Sequence, residues 1–140
     1  MIKEFQNEYR WLSNMFPVEI PFQGHTYRSV EHAYQAQKSK EISWKMFCTQ
    51  EIYPKIVKKK SHEISLRLDW EEVKLGIMEE LLFLKFSQKF FQTKLLETKD
   101  QEIQEGNDWD DVFWGVDKMT GIGENHLGKL IMKVREKLRK

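Results

Sequence analysis

The sequence predicts a mainly α-helical, α+β fold with a small β-hairpin and short strands, arranged as a single domain over residues 1–140. Three observations predict it. Cap-like or helix-opening residues at Ser29, Pro54, Asp69 and Asn125 each precede a stretch suited to a helix. Leu127, Leu130, Ile131, Val134 and Leu138 recur at helical spacing. Strand-like alternation is confined to "VEIPF" and "HTYRS", which flank Gln23-Gly24.

The opening third reads as loops and short strands, with Gly24 supplying the turn of the hairpin. Ser29 caps a helix from Val30 to about Lys40. Residues 42–51 and 54–64 read as two short helices, the second opened by Pro54, whose missing N–H costs nothing in a first turn. "KIVKKK" reads as a solvated basic turn. Asp69 with Glu72 three residues on resembles a capping box and launches the longest helix, Trp70 to about Ser87. Its Leu75, Ile77, Met78, Leu81, Leu82, Phe83, Leu84 and Phe86 cover so much of the circumference that a central, core position is expected. Ser87 caps a further helix through Leu96. Residues 100–125, rich in Gly, Asp and Asn, read mostly as loop with short strands. Asn125 then caps a final helix, with Lys and Arg crowded at the end that the helix dipole favours for cations.

At 140 residues the chain can bury about two thirds of the surface it would expose unfolded, so it needs no covalent staple. Its single Cys48 has no disulfide partner, and no zinc-ligand spacing is present. The expectation is a reducing, cytoplasmic setting without export or membrane spanning, and without metal or cofactor. A net charge of +1 excludes the broad electrostatic grip of a strongly basic nucleic-acid binder but leaves short anionic ligands open. Aromatic residues make up 13% of the chain, with five Trp and nine Phe, serving either a core or a stacking surface.

Chemistry concentrates in two stretches. In "SVEHAYQAQK", helical spacing places Glu31, Gln35 and Lys38 on one stripe with Tyr34 beside them. A solvated face with dipole-favoured charges explains that stripe as well as the wall of a site does. His32 points about 100° away from Glu31, which argues against a shared metal. In the second stretch, Trp109 to Gly128, a long loop carries Trp109, Trp114, Asp110, Asp111, Asp117 and Glu124. Trp114 is either a core ring or a stacking face, and Gly115 beside it permits close approach by a ligand or by the protein itself. "GENHLGK" is either a loop with a capped helix or a helix start whose free N–H groups hold phosphate. Cys48 beside Phe47 reads as a buried small side chain.

Across its whole length the chain resembles the YbiA-like family, also called NADAR. "WLSNMFP" is similar to the family's opening segment and "FQGHTYRSVEHAYQAQK" to its hairpin and helix. Trp70 with Lys74 and Met78 resembles its central helix, "LKF" and "LLETKDQEIQE" its middle, and "DVFWG" through "GIGENHLGKLIMKVR" its closing segment. Met15 and Arg28 depart from the residues usual at their positions, which bears on substrate fit rather than chemistry.

The resemblance implies a compact, multihelical fold with a little sheet and an N-glycosidase that hydrolyses a ribose C1'–N bond. The substrate classes it implies are aminouracil ribose phosphate intermediates of riboflavin synthesis, or ADP-ribose attached to guanine in DNA. A carboxylate below C1' would stabilise the developing ribosyl cation or activate water, the task expected of Glu31. Trp114, Trp70 and Tyr34 are the expected stacking faces. Lys38, with Lys74 or the helix start at Asn125, Leu127 and Gly128, is expected to neutralise phosphate. Asn14 and Asn125 would orient hydroxyls, Gln35 would support Glu31, Gly115 would line the site, and Glu105 is a second acid. A non-catalytic module that binds ADP-ribose or a related nucleotide is the alternative.

Overall fold

The computed structural model describes all 140 residues. Six α-helices, two 3-10 helices and two two-stranded sheets follow one another along the chain. They group into two compact units, residues 14–85 and residues 1–13 with 86–140.

In the contiguous unit, β1 (Ile20–Phe22) pairs antiparallel with β2 (His25–Tyr27), Ile20 facing Tyr27. Gln23 and Gly24 both have positive φ, 47° and 86°, the turn geometry that matches strand twist and favours glycine. α1 spans Val30–Ala36, and the Ser29 hydroxyl accepts the His32 N–H at 3.1 Å, the predicted cap. α1 is shorter than expected. Its C-terminus closes when Gln37 N–H turns back to the Tyr34 carbonyl and Lys38 N–H to that of Gln35, while the Lys38 carbonyl accepts from Arg67 N–H instead of continuing the helix.

α2 (Ile42–Gln50) and α3 (Pro54–Lys60) follow, the latter extended by a 3-10 turn over Ser61–Glu63. "KIVKKK" is therefore helical, with Val57 fully buried where α3 packs against α1. Burying such a side chain stabilises by about 1.5–3 kcal/mol. α4 runs Trp70–Phe86. Arg67 grips both Asp69 carboxylate oxygens at 2.6 and 3.0 Å, so the expected capping box gives way to a charge-assisted fork. Met78, Leu81, Leu82 and Phe86 are buried, but Leu75 and Phe83 are exposed, so α4 keeps a solvent face instead of being enclosed all round.

In the unit built from both chain ends, Ile2 bridges to Ile103, and a 3-10 helix covers Asn7–Leu12. α5 spans Lys89–Glu97 with Gln88 at its N-cap, one residue beyond the expected Ser87. β3 (Gly106–Asn107) and β4 (Val116–Asp117) are parallel two-residue strands in the expected loop. α6 (His126–Leu138) buries Leu127, Ile131 and Val134 along the predicted stripe. Arg135 on the same face is buried too, donating to Thr98 Oγ1 and the Gln101 carbonyl, both at 2.9 Å. No helix is long and apolar enough to cross a membrane.

Candidate functional site

In the 14–85 unit the local helical geometry of α1 joins the stripe predicted from sequence. Glu31 is 8% exposed and Gln35 3%, too buried for a solvated face. Gln35 Nε2 donates to Glu31 Oε2 at 2.6 Å. An ionised carboxylate can only accept, so the amide must turn its NH₂ toward Glu31, which leaves Gln35 Oε1 buried without a partner. A buried polar oxygen left this way costs about 1–3 kcal/mol unless a ligand or water satisfies it.

Asn14 holds α1 in place through its backbone: its carbonyl accepts the Glu31 N–H at 2.9 Å. The Asn14 side chain reaches Met78 Sδ at 3.6 Å through Nδ2, and its Oδ1 is a second buried oxygen without a partner. The two amide oxygens are therefore buried acceptors that the protein itself leaves unsatisfied.

Lys38 extends from the end of α1 over the Tyr34 ring, 5.6 Å from its centroid. Tyr34 meets Trp70 at 5.1 Å with the rings inclined by 55°. Both rings are buried, Trp70 at 4% exposure, and each already faces the other. Lys74, one turn beyond Trp70, pairs with Glu71 at 2.8 Å. Burial draws the Lys38 pKa down and Glu31 pulls it back up, while the charges of Lys58 and Lys74 lower it further. Lys58 belongs to the basic run expected to be a solvated turn. The signal that could have found it is the α3 stripe Pro54, Val57, Lys58, Ser61.

His32 is structural. Its Nδ1 meets Ser29 Oγ at 2.7 Å and its Nε2 the Glu51 carbonyl at 2.8 Å, and no group of side chains is arranged to hold a metal ion. Cys48 is fully buried, and burial pushes its thiol up to about 12.

In the other unit the predicted residues gather around the 103–128 segment. Asn125 occupies the N-cap position of α6 but does not cap through its side chain. Its Oδ1 accepts Glu105 N–H at 3.0 Å and its Nδ2 donates to the Ile103 carbonyl at 2.9 Å. The N–H groups of Asn125, His126 and Leu127 donate to the carbonyls of Gly115, Phe113 and Trp114. The helix start is thus occupied by protein and does not offer the free N–H cradle expected for phosphate. A Cβ at Gly128 would collide with the Ile103 carbonyl, and one at Gly115 with the Glu105 carbonyl, so both close approaches are made by this chain's own backbone.

Glu105 Oε2 accepts from Asn107 Nδ2 at 2.7 Å, and Asn107 also clamps the Asp111 backbone. Trp114 is half-buried, with edge contacts to Phe113 at 5.0 Å and His126 at 6.5 Å. Leu127 is core.

The NADAR domain model matches residues 2–139. This chain belongs to the NADAR domain family. Within that family it is 32% identical over 135 residues to the N-glycosidase YbiA of Escherichia coli, covering 94% of this chain and 83% of that one. An N-glycosidase of Nostoc punctiforme is 36% identical over 145 residues, covering 94% and 86%. A riboflavin biosynthesis protein of Vibrio vulnificus is 32% identical over 131 residues, which span 91% of this chain but 35% of that protein. The solution NMR structure of E. coli YbiA superposes with a TM-score of 0.85 at 29% identity, covering 99% of this chain and 87% of that chain.

Proposed function

We propose that this NADAR chain is an N-glycosidase, a hydrolase that cleaves the ribose C1'–N bond of a nucleotide-like substrate. The observation that carries the reading is the buried Glu31 carboxylate, bonded by Gln35 at 2.6 Å and within electrostatic reach of Lys38. The names of the E. coli and Nostoc relatives support it.

Cleavage of the C1'–N bond leaves positive charge on the ribose ring. A carboxylate held at fixed geometry in a site of low dielectric stabilises that charge and takes a proton from the attacking water. Water oxygen bonds to C1', the bonding pair departs with nitrogen, and the leaving group gains a proton. Glu31 is the proposed carboxylate. Gln35 fixes its orientation, and the available oxygens of Gln35 and Asn14 receive ribose hydroxyls or leaving-group N–H.

The proposed substrate class is an aminouracil ribose phosphate, the choice favoured by the name of the Vibrio relative. ADP-ribose attached to guanine in DNA is the competing substrate, and a net charge of +1 weighs against a general grip on the strand. The proposed setting is the cytoplasm, in keeping with a lone Cys48 buried as a thiol.

The test is Glu31→Gln, assayed for release of free base and ribose phosphate, with thermal unfolding in parallel. Turnover should fall on the order of 10²-fold or more while the fold persists. A folded variant with near-normal turnover would remove Glu31 from the chemistry. Tight binding of intact substrate with no base released by the natural chain would favour a nucleotide-binding module instead.

A further inference from the structure

Helix α3 carries four lysines in seven residues, and they are not equivalent. Pro54, Val57, Lys58 and Ser61 follow the i, i+3, i+4, i+7 pattern of one helical face. Val57 is fully buried and Ser61 is 4% exposed, while Pro54 and Lys58 are half-buried. Lys55, Lys59 and Lys60 are exposed. α3 packs against α1, and the stripe carries its buried side chains. The helix dipole explains why cations gather in the last turn, but not why Lys58 alone among them is drawn inward. Lys60 has a local partner in Glu63 at 3.9 Å, and the Ser61 hydroxyl ties down the Lys58 carbonyl at 2.6 Å, fixing the turn from which Lys58 projects.

Just beyond the end of α1, Lys38 lies over Tyr34, and Tyr34 packs on Trp70, one turn before Lys74. Lys58 and Lys74 both lie close enough to act on the Lys38 ammonium, and Glu31 acts on it with the opposite sign. Lys38 just beyond α1, Lys58 on α3 and Lys74 on α4 thus act on one another near the buried Glu31, and of the three only Lys74 has a carboxylate within ion-pair distance. Like charges repel, so placing Lys38 and Lys58 near each other costs energy that a bound anion would offset, whereas Lys74 already has Glu71. A phosphate, carrying about −1.5 to −2 charge and three acceptor oxygens, matches that demand.

We propose that Lys58 is a specificity-determining residue which, with Lys38 and Lys74, receives the phosphate of a phosphorylated ribosyl substrate. The inference rests on the N-glycosidase reading for its kinetic test, and its binding test is independent of it. Lys58 selects the anion, leaving bond cleavage to Glu31.

The experiment compares Lys58→Gln with Lys58→Arg and with Lys59→Gln, a change at the exposed neighbour. Each is assayed on a ribosyl 5'-phosphate substrate and on the same compound without phosphate, and ribose 5-phosphate binding is followed by calorimetry. Lys58→Gln should raise KM for the phosphorylated compound about tenfold or more, the loss typical of a hydrogen bond to a charged group, with kcat little changed. It should leave the unphosphorylated compound unaffected. Arg should restore most of the difference, and Lys59→Gln should behave as the natural chain.

Equal losses on both compounds, or no loss at Lys58 beyond that at Lys59, would overturn the assignment. If the natural chain cleaves neither compound yet binds ribose 5-phosphate in a Lys58-dependent way, the anion site stands and the N-glycosidase reading falls. Binding of ribose 5-phosphate that ignores Lys58 would overturn the anion site whatever the turnover.

Discussion

Residues 31–38 and residues 103–128 are both dense in polar side chains, and the two regions use them in opposite ways. Around 103–128 the amide of Asn125 bonds backbone groups of Ile103 and Glu105, Asn107 clamps Glu105 and Asp111, and three N–H groups at the start of α6 are taken by the carbonyls of residues 113–115. On α1, Gln35 meets Glu31 with one end and buries the other without a partner, and Asn14 beside it gives its Nδ2 to Met78 Sδ and leaves its Oδ1 without one. The first region uses its polarity to hold a loop that has almost no regular structure. The second leaves buried polarity unsatisfied, an arrangement that costs stability unless a ligand or water completes it. Abundance of polar residues is thus a poor guide to a site. What separates the two is whether the protein itself satisfies them.

The sharpest way to break this contrast is Glu31→Gln, where the expected loss on the order of 10²-fold corresponds to about 2.7 kcal/mol of transition-state stabilisation. Melting should be little changed, because the exchange is isosteric. Asn125→Ala should do the reverse. Removing the amide leaves the Glu105 N–H and the Ile103 carbonyl without their partner, at a cost of about 1–3 kcal/mol for a buried group, read as a lower unfolding midpoint in denaturant. An Asn125→Ala protein that unfolds like the natural chain but has lost turnover would place that side chain among the ligand contacts and dissolve the distinction.

A third effect concerns Lys85, fully buried in α4 with its pKa pulled down by burial to about 7. Unfolding returns it to an ordinary lysine, so between about pH 7 and 10 the unfolded chain binds the extra proton. Stability contributed by this group should therefore rise with pH across that window, with a limiting slope of about 1.4 kcal/mol per pH unit, and level off below it. Denaturant titrations at pH 7 and 8.5 should show the rise, and Lys85→Met should flatten it. A curve of the natural chain that falls over the same range would refute the depressed pKa.

Smallest in effect is Gln35→Met, which keeps the volume but removes both the bond to Glu31 and the unpartnered oxygen. Turnover should drop by less than about tenfold, with stability within about 1 kcal/mol of the natural chain. A loss of several kcal/mol would mean that Gln35, like Asn125, is structural.

Much of the fold was legible because it is local. Ser29 caps α1, Pro54 opens α3, Gln23 and Gly24 make the turn of the hairpin, and the α6 stripe emerges from spacing alone. The errors have a common cause. Asp69 with Glu72 has the pattern of a capping box, but its carboxylate goes to Arg67, a competitor that helix patterns do not weigh. Asn125 has the neighbours of a cap, but its side-chain partners lie 20 and 22 residues away. A run of like charges is usually solvated, and only the packing of α3 on α1 distinguishes Lys58 from Lys59.

By itself, then, the sequence determined the helices, the hairpin and the Glu31–Gln35 pairing, since each depends on groups no more than a helical turn apart. The tertiary structure decided which polar groups are already satisfied and which are not. That depends on hydrogen-bond partners and burial brought in from distant parts of the chain, and no local pattern encodes it.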